Sequence, residues 1–322
     1  MTLFQFISAM NNWGQAQVPF LFMIDFEMSD PRIYKIEDIE CDKILYFVNG
    51  ITNTERKDVE GKSGIRAIQG PFSEYEQKFN KVRHHLEYGD TFLTNLTIST
   101  EIVLEQSLKN IFFQSDAKYK LLVEDEFLVF SPETFVKITN GKIFSYPMKG
   151  TIDASIPAAS EKILSDKKEL AEHVTIVDLI RNDLSQVASR VTVNRFRYIE
   201  EVRTRSKNLY QVSSEICGEL YNDYRASIGD ILIKLLPAGS VTGAPKPKTV
   251  EIIKEVEATP RGFYTGVFGY FDGNNLDSGV MIRFIEKRGS KYFYRSGGGI
   301  TTQSVVESEY QEAINKVYVP VA

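Results

Sequence analysis

Alternating and continuous apolar runs predict β-strands at 18–26 (VPFLFMIDF), 44–51 (ILYFVNGI) and 92–100 (FLTNLTIST). LLVEDEFLVF (121–130) also reads as a strand. Between 135 and 148, FVKITNGKIFSYPM holds an Asn-Gly pair between two alternating runs, a strong hairpin signal. Further strands are expected at 209–220, 264–271, 278–286 and 291–300. Helical spacing marks 73–89, where Ser73 and Glu76 form a capping-box pattern, and recurs at 166–188, 226–236, 247–257 and 308–319. Strands and helices mix without regular βαβ alternation, and neither repeats nor a clear linker divide the chain. The pattern predicts an α+β fold, one large domain built around a pair of sheets. Residues 1–72 are less patterned and are expected to form an accessory region packed on a main domain of 73–322.

A chain of 322 residues can bury a substantial core, and 43% hydrophobic with 25% charged residues is ordinary for a soluble globular protein. The net charge of −5 is spread along the sequence without a long basic tract, so nucleic acid is not indicated as a partner. No stretch approaches the roughly 20 apolar residues of a membrane span. The first twenty residues lack the basic start and apolar core of a signal peptide. Two separated cysteines, Cys41 and Cys217, fit a reducing cytoplasm and read as structural. His84, His85 and His173 form no HExxH or Ser-His-Asp grouping. Chemistry is therefore expected from carboxylates, lysine and arginine, or from a metal held by oxygen.

Five segments share that theme. SPETF carries Glu133 after a Ser-Pro turn, and YPMKGT carries Lys149 before Gly150 and Thr151. The amphipathic ELAEHVTIVDLIRND helix bears Glu169, Glu172 and Asp178. PAGSVTGAPKPK is a glycine- and hydroxyl-rich loop opening a helix, a setting that suits an anion because unpaired N–H groups point outward. The fifth combines MIR (281–283), SGGGI (296–300) and SEYQE (308–312). Taken singly, each has a plain structural reading: a solvated helix face, a tight turn, or glycines permitting positive φ. Arg283 is harder to dismiss, because alternation puts it on one face with Met281 and Ile285, and an inward arginine needs an anionic partner.

In their order, these segments resemble the chorismate-utilising enzymes, a family that includes anthranilate, aminodeoxychorismate, isochorismate and salicylate synthases. The similarity spans about residues 75–320. It implies a single α+β domain of two large packed antiparallel sheets with helices outside, and makes 73–322 the catalytic domain. Carried over position by position, Glu172 and Glu312 resemble Mg²⁺-binding glutamates, which suits an ion that takes oxygen ligands. Tyr264, Arg283, Gly297, Gly298 and Gly299 match positions that hold chorismate's carboxylates, and Gly150 and Thr151 match another substrate-contacting pair. Glu133 matches an acid/base glutamate. Thr242 and Lys246 belong to the GAPK signature in supporting roles, and Glu309 is expected to orient Glu312 or a metal-bound water.

Lys149 distinguishes branches of the family. The aminodeoxychorismate synthases carry a Pro-x-Lys-Gly-Thr segment, as here at 147–151, whereas anthranilate synthases have alanine for the lysine. The resemblance thus implies amination of chorismate at C4 by way of a covalent lysine. Ammonia is expected from a separate glutamine amidotransferase subunit, since the chain lacks a Cys-His glutaminase pair. Gln211 stands where many relatives have a histidine, so a histidine step there is not expected. The N-terminal portion is short and lacks an LLES tryptophan-binding signature, which puts feedback by tryptophan in doubt.

Overall fold

The computed structural model describes residues 1–57, 59, 64–203 and 208–321. Two sheets dominate, and every described strand pair is antiparallel. The first sheet runs from Met148–Asp153 through Asn208–Leu220, Lys142–Ser145, Thr134–Thr139, Leu276–Val280, Val267–Phe271 and Phe20–Ile24 to Arg32–Lys35. Ala188–Arg203 pairs with Asn208–Leu220 beside that path. The second sheet runs from Gly243–Ala244 through Leu93–Leu104, Lys291–Ile300, Phe284–Arg288, Phe127–Ser131, Tyr119–Val123 and Ile44–Val48 to Ile51–Thr52. Ile65–Ile68 adds to Leu93–Leu104. Residues 1–72 thus contribute strands to both sheets.

Phe20–Ile24 shows why a continuous apolar run suits this architecture. Alternation sends Phe20, Phe22 and Ile24 to a layer of helices, where they meet Phe6, Met10, Ile180 and Leu232. Leu21 and Met23 face the other way, into a core between the sheets with Tyr46, Leu121 and Val129. Burial on both faces favours five apolar residues in a row, each worth roughly 1.5–3 kcal/mol relative to exposure. The second sheet is covered in turn by Ile111 and Phe112 of helix Leu108–Gln114. Farther along, Tyr75, Phe79 and Val82 of helix Phe72–Tyr88 pack against Leu96 and Ile300. The order is helices, sheet, sheet, helices, the two-sheet α+β arrangement expected.

The Asn-Gly hairpin forms as expected: Thr134–Thr139 pairs with Lys142–Ser145, with Asn140 and Gly141 both at positive φ. Elsewhere the structure corrects the sequence reading. Helix Phe72–Tyr88 begins one residue before Ser73, so Ser73 lies inside the first turn; Pro71 is the N-cap and no capping box forms. The helix expected over 166–188 is Lys167–Ser185, capped by Asp166, whose side chain accepts from the Glu169 N–H at 3.0 Å. The strand expected over 278–286 is two strands. Leu276–Val280 belongs to the first sheet and Phe284–Arg288 to the second, and Met281–Arg283 carries the chain across. Arg283 turns that corner at φ 54°, and the alternation behind the expected shared face breaks: Met281 lies between the sheets, Ile285 on the outer face of the second.

Candidate active site

The pairing of Lys291–Ile300 creates the site. Leu93–Leu104 accompanies this strand down to Ile300, but Phe284–Arg288 stops at the Phe284–Arg295 pair. From Ser296 to Ile300 one edge carries no described strand. That stretch borders a cavity of about 190 Å³ lined also by Asn95, Glu133, Lys149, Ser240, Thr242, Tyr264, Arg283, Glu312 and Lys316. Close packing requires glycine at 297, where the obstacle is backbone, and favours it at 299, where the obstacle is the end of a leucine side chain. A Cβ on Gly297 would stand 2.4 Å from the Leu96 carbonyl oxygen, and one on Gly299 would stand 2.9 Å from Leu93 Cδ1.

Lys149 enters from the other sheet. A register shift between Met148 and Thr151, with Gly150 at φ 79°, bends the strand and aims the lysine at the glycine strand. Its Nζ lies 3.9 Å from where a Cβ on Gly299 would sit, and 2.6 Å from Glu172 Oε2. Burial opposes the charge on Lys149, but Glu172, and farther off Glu169 and Glu312, outweigh it and hold the ammonium above its usual range. Glu133 behaves oppositely. Burial raises its carboxyl above the usual value, against a hydrogen bond from the Ser240 hydroxyl and the pull of Lys316 and Lys149.

The opposite wall is cationic and aromatic. Tyr264 sits in the turn before Val267–Phe271, where burial pushes its phenol up to about 12 despite Arg261, Arg295 and Arg283. Arg283 donates to the Lys316 carbonyl at 3.0 Å and lies over the Tyr318 ring. Helix Val306–Asn315 brings Glu312 beside Lys316 at 2.7 Å, and the same lysine donates to the Gly297 carbonyl at 2.8 Å. Glu309 lies beneath Gly298 and accepts from the Ser304 hydroxyl at 2.7 Å. Thr242 is buried and donates to the carbonyls of Ala238 and Gly239, shaping the loop.

Of the residues singled out in the sequence, Glu133, Lys149, Thr242, Tyr264, Arg283, Gly297, Gly298, Gly299 and Glu312 line this one cavity. Glu172 stands behind Lys149. Thr151 lies outside, at an adjoining shallow opening shared with Gln211, Arg283 and Glu312. Lys246 is used elsewhere, joining Asp183 at 2.5 Å and the Leu235 carbonyl at 3.0 Å. The sequence reading did not single out Asn95, Ser240, Arg295, Ser296 or Lys316. Ser240 was within the loop already noted, and Lys316 is one helical turn beyond Glu312, so both carried a usable signal. Arg295 and Asn95 carried none.

The donor chemistry suits a hard divalent cation, because the acidic side of the cavity offers carboxylate oxygen and no thiol or imidazole. Among the described residues no three His, Cys, Asp or Glu side chains converge as a metal-binding group. The two glutamates expected to hold a metal are each paired with a lysine, Glu172 with Lys149 at 2.6 Å and Glu312 with Lys316 at 2.7 Å.

Residues 29–322 match the family described as chorismate binding enzyme. An uncharacterized PabA-like protein of Haemophilus influenzae is 46% identical over 320 residues, covering 99% of this chain and 98% of that protein. Aminodeoxychorismate synthase component 1 of Bacillus subtilis is 31% identical over 311 residues, 91% of this chain but 63% of that longer one. In fold the chain is similar to the menaquinone-specific isochorismate synthase MenF of Escherichia coli, with a TM-score of 0.73 at 16% identity, covering 97% of this chain and 79% of that one. Among the described residues no helix is long and apolar enough to cross a membrane. With the match running across nine-tenths of its length, the chain belongs to the family of chorismate binding enzymes.

Proposed function

We propose that the chain is the chorismate-aminating component of an aminodeoxychorismate synthase. It converts chorismate and ammonia to 4-amino-4-deoxychorismate, on the route to 4-aminobenzoate and folate. The observation that carries this reading is Lys149, whose Nζ reaches from the first sheet to the glycine strand of the second, inside the same cavity as Glu133. An alanine there, as in anthranilate synthases, offers no nucleophile.

Glu133, whose carboxyl burial raises and so favours in its neutral form, donates its proton to the C4 hydroxyl, which leaves as water. The Lys149 amine attacks C2 as that bond breaks, so the ring's double bonds shift and the enzyme holds a C2–N bond. Lys149 must first lose a proton, and Glu172, at 2.6 Å, is the carboxylate in reach. Ammonia then attacks C4 and the electron pair of the C2–N bond returns to lysine, leaving the new amine at C4. Arg283 and the backbone of Gly297–Gly299 hold the carboxylates through these steps. Mg²⁺, held by Glu172 and Glu312, would neutralise negative charge on the substrate.

Ammonia is expected from a glutamine amidotransferase subunit. Cys41 contacts the Ile39 carbonyl and Asn53, and Cys217 the Gly218 carbonyl; no described histidine pairs with either. The test is product analysis of the purified protein with chorismate, Mg²⁺ and ammonium, with and without a separate lyase. 4-Amino-4-deoxychorismate is expected, with glutamine alone inert. Anthranilate or isochorismate as the product would replace this reading with a sister activity.

A further inference from the structure

Arg295 is 3% exposed and borders the cavity, yet its surroundings do not balance its charge. The strand places it opposite Phe284, on the face between the two sheets, where its guanidinium lies over the Tyr264 ring at 5.1 Å. Its ion-pair partner is Glu286, at 3.1 Å, and the same Oε1 also accepts from Arg288. One carboxylate thus serves two arginines. Arg261, also near Tyr264, pairs with Glu257 at 2.7 Å, a carboxylate that bonds no other described arginine. Arg283 is met by a carbonyl and an aromatic ring, neither of which carries a negative charge. The Arg283–Arg295 wall, half-buried at Arg283 and buried at Arg295, therefore holds an excess of positive charge, which is costly unless an anion completes it. Hydrogen bonding is also incomplete. Arg295 Nε and the hydroxyl of the neighbouring Ser296, itself 2% exposed, are buried without a partner, and both residues line the cavity.

We propose that Arg295 is a second substrate-anchoring arginine, which with Arg283 forms a two-guanidinium wall that receives a carboxylate of an anionic ring substrate. The assignment rests on the reading that chorismate occupies this cavity. Chorismate carries two carboxylates. The glycine strand offers backbone N–H groups to one, and the arginine wall offers paired donors to the other. The Tyr264 ring on one side and the Glu286 pair at Nη1 position the Arg295 guanidinium and leave its Nε–H open for an acceptor.

The test compares the parent with Arg295→Gln and with the double variant Arg295→Met/Glu286→Gln. The double variant removes the Glu286 charge as well, so the loss of Arg295 does not strand it. Chorismate binding is read by titration and by the rise in Tm that chorismate produces, and turnover is read as KM and kcat separately. In the double variant, KM for chorismate is expected to rise about ten-fold or more, in line with loss of a charged hydrogen bond, with a much smaller change in kcat. The chorismate-induced rise in Tm should shrink in parallel. If the folded double variant binds chorismate as tightly as the parent, Arg295 serves only its pair with Glu286 and the proposal fails while the functional reading stands. A parent protein that neither binds nor turns over chorismate overturns both.

Discussion

Lys149 and Glu172 are joined at 2.6 Å between a strand of the first sheet and helix Lys167–Ser185, the lysine 28% and the glutamate 10% exposed. The proposed nucleophile and a proposed metal ligand thus occupy one ion pair, and whatever draws Glu172 away loosens the proton on Lys149. Lys149→Met keeps the length of the side chain but removes the ammonium that competes with a cation for Glu172. We expect C4 amination to be lost while Mg²⁺ binds more tightly than in the parent, as read by calorimetric titration without substrate. Weaker Mg²⁺ binding in this variant would count against Glu172 as a ligand.

Glu133→Gln can still bond Ser240 but cannot donate a proton to the departing hydroxyl. A fall in kcat of roughly 100-fold or more is expected, with KM little changed. Because burial raises the carboxyl in the folded chain, its contribution to stability is full below the unfolded value and is lost as pH rises through the folded one. The glutamine variant should therefore match or exceed the parent in Tm at pH 8, with less advantage at pH 5. Thermal melts at the two pH values check this, and the opposite ordering would mean that burial does not disfavour the charged form of Glu133.

His173 gives a second pH signature, of opposite sign. It is 1% exposed, hydrogen-bonded through Nε2 to Ser214 at 2.7 Å, and burial with Arg197 and Lys149 nearby lowers it to about 4. A depressed histidine contributes stability that is present above its unfolded value near ~6.5 and lost as pH falls through the folded one. Stability should drop by up to about 3 kcal/mol between pH ~6.5 and pH ~4 from this residue. In His173→Gln, denaturant unfolding across that range should show a flatter slope. An unchanged slope would mean that His173 does not titrate on unfolding.

Arg261 and Glu257 support the cavity from behind. Arg261 bonds Glu257 with two nitrogens and also donates to the carbonyls of Val241 and Asn95, whose residues line the cavity. Arg261→Met leaves Glu257 buried and uncompensated, at a cost of roughly 3–5 kcal/mol. Adding Glu257→Gln should recover part of that loss in chemical denaturation. If the double variant is less stable than Arg261→Met, Glu257 matters more through its bond from the Thr97 N–H at 3.0 Å than through the ion pair.

The residues that were legible in the sequence are those whose local signal and tertiary role coincide. Asn140-Gly141 needs positive φ wherever it sits, and Lys291–Ile300 is a β-prone aromatic run bounded by a turn, so both elements emerge as read. The run 278–286 misled because an apolar stretch buried throughout looks alike whether it stays in one sheet or crosses to another. The long strand Ala188–Arg203 escaped notice because register shifts at Ser189, Val193 and Arg195 interrupt its alternation. At the site, Glu133, Lys149 and the glycines stood out by motif. Arg295 did not, because its importance depends on Glu286 being shared with Arg288, a count of charges that no spacing records.

The position of Phe20–Ile24 between Arg32–Lys35 and Val267–Phe271 also bears on how the chain is made. Phe20 leaves the ribosome about 250 residues ahead of its partner Phe271. At roughly 5–20 residues per second that wait is on the order of tens of seconds. Throughout it an all-apolar strand has one neighbour and an open edge, the form in which nascent chains pair wrongly with one another. Folding of the first sheet is thus a late event in synthesis, and the yield of active protein should depend on chaperone supply and translation speed.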